Sequence, residues 1–317
     1  MTPPSFHRLV DDYLRVRRGL GFDLESTEWK LRDFATYADR IGHSGAVTIE
    51  LAVEWAQSSR SSNPAQAVRR LAAVRQFARH RALLDPATEV PPAGLLGRIP
   101  RRPPPHIYTE AEVAALLQQA SRLRPEHGLR PATYVAYFSL LVSTGLRLSE
   151  ACLLTTNDVD LVNGVLVIRE TKFRKSRLVP LHPSTTKALA RYADRRDGCR
   201  DAPRSEHFFR TERSPRLQRH AVEKTFAGIR QRLGWTGHGR TRQPRIHDLR
   251  HTFVTRRLLR WCQDGADVDR KILALATYLG HAKVTDTYWY CTAVPELLGS
   301  TSQRFERFAH PALERPS

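Results

Sequence analysis

The chain has 317 residues, with 51 Lys or Arg against 32 Asp or Glu and a formal net charge of +19. That length allows two domains of ordinary size, and the absence of a bilayer-length apolar run or a signal-peptide pattern sets aside a membrane-spanning or secreted protein, leaving a cytoplasmic setting as the expectation. The charge is uneven, +3 over residues 1–100 and +16 over residues 101–317, and so basic a domain repels itself unless a polyanion covers it, so nucleic acid is the expected partner.

Arginine dominates the basic set, with only seven lysines in the chain, and its planar fork suits two-point contact with phosphate. The four cysteines, Cys152, Cys199, Cys262 and Cys291, form no C-x-x-C pair, which suggests neither a zinc site nor a disulfide framework.

Residues 1–90 read as four helices. Phe6, Leu9, Val10 and Tyr13 recur at helical spacing, as do Leu31, Phe34, Ala35, Ala38 and Ile41. Thr48 is placed to cap a third helix containing Val53, Trp55 and Ala56. Asn63-Pro64 opens a fourth, a cap followed by proline in the first turn. On it Val68, Leu71, Val74 and Phe77 point inward, leaving Arg69, Arg70, Arg75 and Arg79 for the other faces. These faces are either solvated or laid against a DNA backbone, and Arg69, Arg75 and Arg79 are the candidates for contact.

Residues 91–107 change composition abruptly, through Pro91-Pro92, Pro100 and Arg101-Arg102-Pro103-Pro104-Pro105. Proline offers no amide donor for helix or central strand, so this is a semi-extended linker whose Arg101 and Arg102 could follow a phosphate backbone. Residues 108–317 then form a second domain. Thr109 with Glu112 makes a capping box, and a strongly apolar helix over 131–143 stops at Gly145. Asn163-Gly164 signals a hairpin, with Val165–Ile168 leading out and Leu178–Leu181 returning around a basic tip that holds Lys172, Arg174 and Lys175. Helices are expected at about 183–196, 217–232, 247–261 and 267–279, with a short strand at Phe208-Phe209 and a basic loop from Gly234 to Arg245. A short helix over 284–291 follows. After Pro295 an amphipathic helix with Leu297, Leu298, Phe305 and Phe308 folds back on its own domain or docks on a neighbour.

Four stretches carry the chemistry: Thr144-Gly145-Leu146-Arg147-Leu148-Ser149-Glu150; Thr171-Lys172; His247-Asp248-Leu249-Arg250-His251; and Leu279-Gly280-His281 with Tyr290 nine residues after the histidine. Cutting a phosphodiester without metal requires cations on the non-bridging oxygens, an in-line nucleophile and a proton for the departing oxygen. Arginine, tyrosine and lysine meet those needs. His247 and His251 stand four apart, as in a zinc-binding H-E-x-x-H helix, but Asp248 replaces the glutamate and Arg250 would set a cation beside the metal. Tyr288 competes with Tyr290, yet two helical residues apart they face about 200° away from each other, so only one can meet the arginines.

In this order the motifs resemble the tyrosine recombinase (phage integrase) family, with the likeness strongest over residues 108–295. The resemblance implies a mainly α fold with a small antiparallel β-sheet. An N-terminal helical, SAM-like core-binding domain would join an α/β catalytic domain, and the two would close on a duplex as a C-shaped clamp. It implies Arg147 and Arg250 as the arginines on the phosphoryl group, His247 and His281 as its further contacts, and Glu150 as the bracing acid. Lys172 becomes the proton donor to the leaving oxygen, chosen over Lys175 because Arg177–Leu181 matches the strand after the tip. Tyr290 becomes the nucleophile, leaving a 3′-phosphotyrosine. Thr171-Lys172-Phe173 departs from the family's usual Gly-Lys-Gly. No cofactor, metal or ATP is implied. The implied partners are double-stranded DNA and further copies of the chain, four on two sites, with accessory recombinases or directionality factors, in integration, excision or transposition. Whether Tyr290 acts in its own site or a neighbour's stays open. A topoisomerase-like relaxing enzyme and a DNA-binding regulator that has kept the fold are the competing readings.

Overall fold

The structure is a computed structural model that describes residues 5–22, 24–59, 64–99, 104–169, 176–200, 202–237, 243–281 and 283–293. The chain divides into two compact units, Met1–Arg102 and Pro103–Ser317. Among the described residues no helix is long and apolar enough to cross a membrane.

Among its described residues the first unit holds four helices, α1 (Phe6–Gly19), α2 (Glu25–Arg40), α3 (Ile49–Gln57) and α4 (Pro64–Arg81). Thr48 caps α3 by accepting from the amide of Leu51 at 3.2 Å. The core gathers one stripe from each helix, including Val10, Phe34, Trp55, Val74 and Phe77. Arg70 departs from the sequence expectation. It does not lie on an outer face but is buried over the Trp55 ring, 4.0 Å from its centre. Its guanidinium donates to the Trp55 carbonyl at 2.8 Å and pairs with Asp33 at 3.1 Å. A tryptophan face, and a helix-end carbonyl and a carboxylate that both meet Nη2, offset much of the cost of its burial, while Nε is buried without a partner. Arg69 and Arg79 are exposed on α4 and Arg75 is half-buried; Arg101 and Arg102 lie outside the described residues.

The second unit is built around α5 (Glu110–Ser121) and α6 (Leu129–Thr144). The capping box at Thr109 and Glu112 forms as expected, with reciprocal bonds of 3.1 and 2.7 Å. Tyr137, Phe138, Leu140 and Leu141 of α6 sink into the main core beside Phe208 and Phe209. Gly145 ends α6 at φ 63°, and a Cβ there would stand 2.5 Å from the Phe253 ring, so glycine is required twice over. Next come α7 (Leu148–Leu153) and a three-stranded antiparallel sheet, β1 (Val159–Asp160), β2 (Val165–Ile168) and β3 (Arg177–Pro180), in that order. Asp160 closes the β1–β2 turn by accepting from the amides of Val162 and Asn163. Ile168 pairs with Arg177 across β2 and β3. The tip that follows Arg169, with Lys172, Arg174 and Lys175, lies outside the described residues. No strand forms at Phe208-Phe209; an isolated bridge joins Thr155 to His207, and both phenylalanine rings serve the core instead.

Among the described residues five helices follow: α8 (Pro183–Asp197), α9 (Arg219–Arg232), α10 (Asp248–Gln263), α11 (Val268–Leu279) and α12 (Thr285–Ala293). A smaller apolar cluster from α10, α11 and α12, with Val254, Leu258, Ile272, Leu275 and Leu279, packs around Tyr290. The expected helix after Pro295 lies outside the described residues.

Candidate active site

Five of the sequence-predicted site residues, Arg147, Glu150, Arg250, His281 and Tyr290, come together at the C-terminal end of α11. Arg147 begins α7, and its amide and guanidinium both bond Glu150, at 3.0 and 2.7 Å. Its other guanidinium nitrogen donates to the carbonyl of Gly280 at 2.7 Å. Arg250 reaches up from the first turn of α10 and is buried. It donates to the carbonyls of Gly145 and Leu279 at 2.7 and 2.8 Å and to Nε2 of His281 at 2.9 Å. Burial, above all, lowers its pKa to about 10, which still leaves it cationic at neutral pH.

One residue of the cluster was not singled out from the sequence. Arg177, at the start of β3, is half-buried with its side chain 8% exposed, and it grips both Glu150 oxygens, at 3.1 and 2.8 Å, while its Nε donates to the Tyr278 carbonyl at 2.7 Å. The only hint of it was its place at the strand following the basic tip. Glu150 thus accepts four bonds from two arginines. Its burial resists ionisation, but the Arg177 and Arg147 contacts win and hold its pKa below the ordinary carboxylate value. Counting Arg147, Arg177, Arg250 and Glu150, the cluster retains two uncompensated positive charges, and that suits a phosphodiester anion.

Gly280 makes this gathering possible. At φ +66° it turns the chain off α11, and a Cβ in its place would stand 2.7 Å from Arg177 and 3.3 Å from Arg147. The last three carbonyls of the stretch, at Tyr278, Leu279 and Gly280, each accept a different arginine. Positive groups at a helix C-terminus also meet the negative end of its dipole.

Tyr290 is 4% exposed. Its ring lies parallel to that of His281, 9° between planes and 6.4 Å between centres, with His251 5.3 Å away. Burial raises the phenol pKa, against the lowering effect of Arg250 and then of Arg147. The phenol is therefore neutral before any ligand arrives. Tyr288 faces elsewhere, with its hydroxyl donating to Asp269 at 3.0 Å. His247 sits just ahead of α10, edge-on to His251 at 5.0 Å. It is open to solvent on one side and crowded by protein on the other. That crowding, then the Arg250 charge, lowers its pKa. Lys172 lies outside the described residues, so its distance from the cluster is not defined.

Residues 107–296 match the model of the phage integrase family. A protein of Sinorhizobium fredii named as an integrase/recombinase, y4rB, is 41% identical over 96% of this chain and 98% of its own. Tyrosine recombinase XerD of Mycobacterium tuberculosis is 31% identical over 88% of this chain and 90% of its own. The Tn1549 transposon integrase, solved with transposon right-end DNA, shares the fold at a TM-score of 0.69 and 18% identity, covering 98% of this chain and all of that one, 100%. A matching family model over more than half the chain, with a relative this similar along nearly its whole length, settles the kinship: the chain belongs to the phage integrase family, the tyrosine recombinases.

Proposed function

We propose that this chain cuts and rejoins DNA strands at specific sites, with Tyr290 as nucleophile and Arg147 and Arg250 as the groups that hold the scissile phosphate. The observation that carries the reading is that one buried phenol feels the charge of both Arg250 and Arg147, the two guanidiniums being held at the Gly280–His281 corner of the same chain. Phosphoryl transfer demands positioning and charge neutralisation more than covalent chemistry by the protein, and this cluster supplies both.

Attack by the Tyr290 oxygen on phosphorus releases the 5′ oxygen and leaves a 3′-phosphotyrosine. Lys172 protonates the leaving oxygen, His247 and His281 complete the phosphate contacts, and Glu150 holds Arg147 in line. A 5′ hydroxyl from a second strand reverses the step. Because the phenol is buried beside His281 and under the charge of Arg250 in its own chain, cleavage in cis is the reading we propose.

The partner is double-stranded DNA, with Arg69, Arg75, Arg79, Arg101, Arg102, Arg174 and Lys175 as backbone contacts. The helical unit, residues 1–90, and the catalytic unit, residues 108–317, each contribute a surface. The assembly proposed is a tetramer on two sites, in line with the lambda integrase tetramer solved on a Holliday junction, which shares the fold at a TM-score of 0.60 and 19% identity over 89% of this chain and 79% of that one. Movement of a mobile element is the setting proposed, in keeping with a relative named as an integrase/recombinase. A nicked suicide duplex tests the chemistry. The native protein should trap a covalent adduct and Tyr290→Phe should not; an adduct that survives the substitution removes Tyr290 from its role.

A further inference from the structure

A neutral phenol has to give up its proton to something as it attacks, and α12 carries a residue that bears on where the proton goes. Thr287 lies one turn before Tyr290 and is wholly buried, 0% exposed. Its Oγ1 is 2.6 Å from Nδ1 of His281. The other ring nitrogen, Nε2, is 2.9 Å from Nη2 of Arg250. A guanidinium can only donate. Nε2 must therefore carry the lone pair and Nδ1 the hydrogen, which Thr287 Oγ1 accepts. Both hydrogens of Arg250 Nη2 are used, one on the Leu279 carbonyl and one on Nε2. The charge of the same guanidinium also bears on the phenol of Tyr290, whose ring lies parallel to that of His281 at 6.4 Å.

We propose that Thr287 is a positioning residue: by accepting Nδ1–H, its hydroxyl turns the basic Nε2 of His281 into the anion pocket as the acceptor of the Tyr290 proton. This rests on the strand-cleavage reading above. As the phenol oxygen bonds to phosphorus, the Arg250 Nη2–H turns from Nε2 to a non-bridging oxygen, the phenol proton passes to the Nε2 lone pair so freed, and the bond from phosphorus to the 5′ oxygen breaks; that oxygen takes its proton from Lys172. The imidazolium then keeps Nδ1–H on Thr287 and aims Nε2–H at a non-bridging oxygen. Rejoining returns each proton along the same route. The logic is that of a base held in one tautomer by a third group, with a neutral hydroxyl as the holder. Before DNA arrives the ring is neutral, because burial and then Arg250 lower its pKa to about 4. A phosphate anion drawn between Arg250 and the ring would reverse that bias.

The test uses the full-length protein. Nitrogen-15 NMR of histidine-labelled protein at pH 7 should show His281 neutral, with hydrogen on Nδ1, and Thr287→Val should weaken that preference, since Arg250 still donates to Nε2 while Nδ1–H loses its acceptor. On a nicked suicide duplex carrying a site recovered from DNA flanking the gene, Thr287→Val should slow single-turnover cleavage roughly 100-fold, the lower end of what positioned proton transfer contributes. DNA affinity should hold, and Thr287→Ser should restore most of the rate. A native His281 with hydrogen on Nε2, or Thr287→Val cleaving at the native rate, overturns the proposal. Should the valine variant not fold, the native spectrum and the serine variant still decide. Tyr290→Phe run alongside reports separately on the underlying reading, because an adduct there sinks the nucleophile whatever the histidine spectrum shows.

Discussion

Replacing Arg177 by methionine keeps most of the stem's bulk and removes three donor contacts: two to Glu150, at 3.1 and 2.8 Å, and one to the Tyr278 carbonyl, at 2.7 Å. What remains is a buried carboxylate served by Arg147 alone and a carbonyl that has lost its guanidinium donor. Breaking one side of a buried ion pair costs about 3–5 kcal/mol, mostly because the abandoned charge cannot reach water. For a unit of this size each kcal/mol moves the melting midpoint by about 2–4 °C, so the expected fall is roughly 6–20 °C. Differential scanning calorimetry of the catalytic unit's transition measures it. Arg177→Lys should fall between, since an ammonium restores charge without the two-pronged grip. Pairing Arg177→Met with Glu150→Gln should cost less than the sum of the single changes, because the neutral amide no longer needs the partner. A loss below about 1 kcal/mol for Arg177→Met would refute the reasoning; the pair would then be behaving like a surface contact.

Four further outcomes follow from the same geometry. Gly280→Ala forces a side chain into φ +66° and against Arg177 and Arg147; about 1–2 kcal/mol of backbone strain should accompany a loss of cleavage larger than the loss of DNA affinity, read by suicide-substrate and binding assays. Tyr288→Phe should leave the covalent adduct intact, since that hydroxyl is spent on Asp269; loss of the adduct would reopen the choice of nucleophile. His281 titrates near 6.5 when unfolded and about 4 when folded, so the unfolded chain binds the extra proton between those values. Stability should be complete above pH 6.5 and decline as pH falls toward 4, and urea melts of native protein should lose more across that window than those of His281→Gln. DNA binding should weaken steeply with added salt because phosphates dominate the contact; a shallow salt response would contradict that.

Local rules made much of the fold legible. Thr48, the Thr109–Glu112 box and Gly145 each act within a few residues of their own position, and each does in the structure what its spacing suggests. Arg70 shows the limit of such rules. A helical wheel sets it beside Arg69, and only the arrival of Trp55 and Asp33 from other helices makes its burial affordable. At the site, motif order led to Arg147, Glu150, Arg250, His281 and Tyr290, and the fold assembles them. Arg177 was not legible, because its meaning comes from a carboxylate 27 residues away and a carbonyl 101 residues away. Thr287 was hidden more simply: six residues beyond His281, it resembles a helix-capping threonine until the Gly280 corner folds α12 back against the ring.

The run of three carbonyls at the end of α11 makes the reaction centre sensitive to register. Arms from the corner after α6, from the sheet and from α10 all measure their position against the same short piece of backbone. Inserting or deleting one residue in α11 would swing that piece by about 100° around the helix axis and misalign every arm at once. The count of residues between Val268 and Gly280 is therefore fixed by the three arms it has to align.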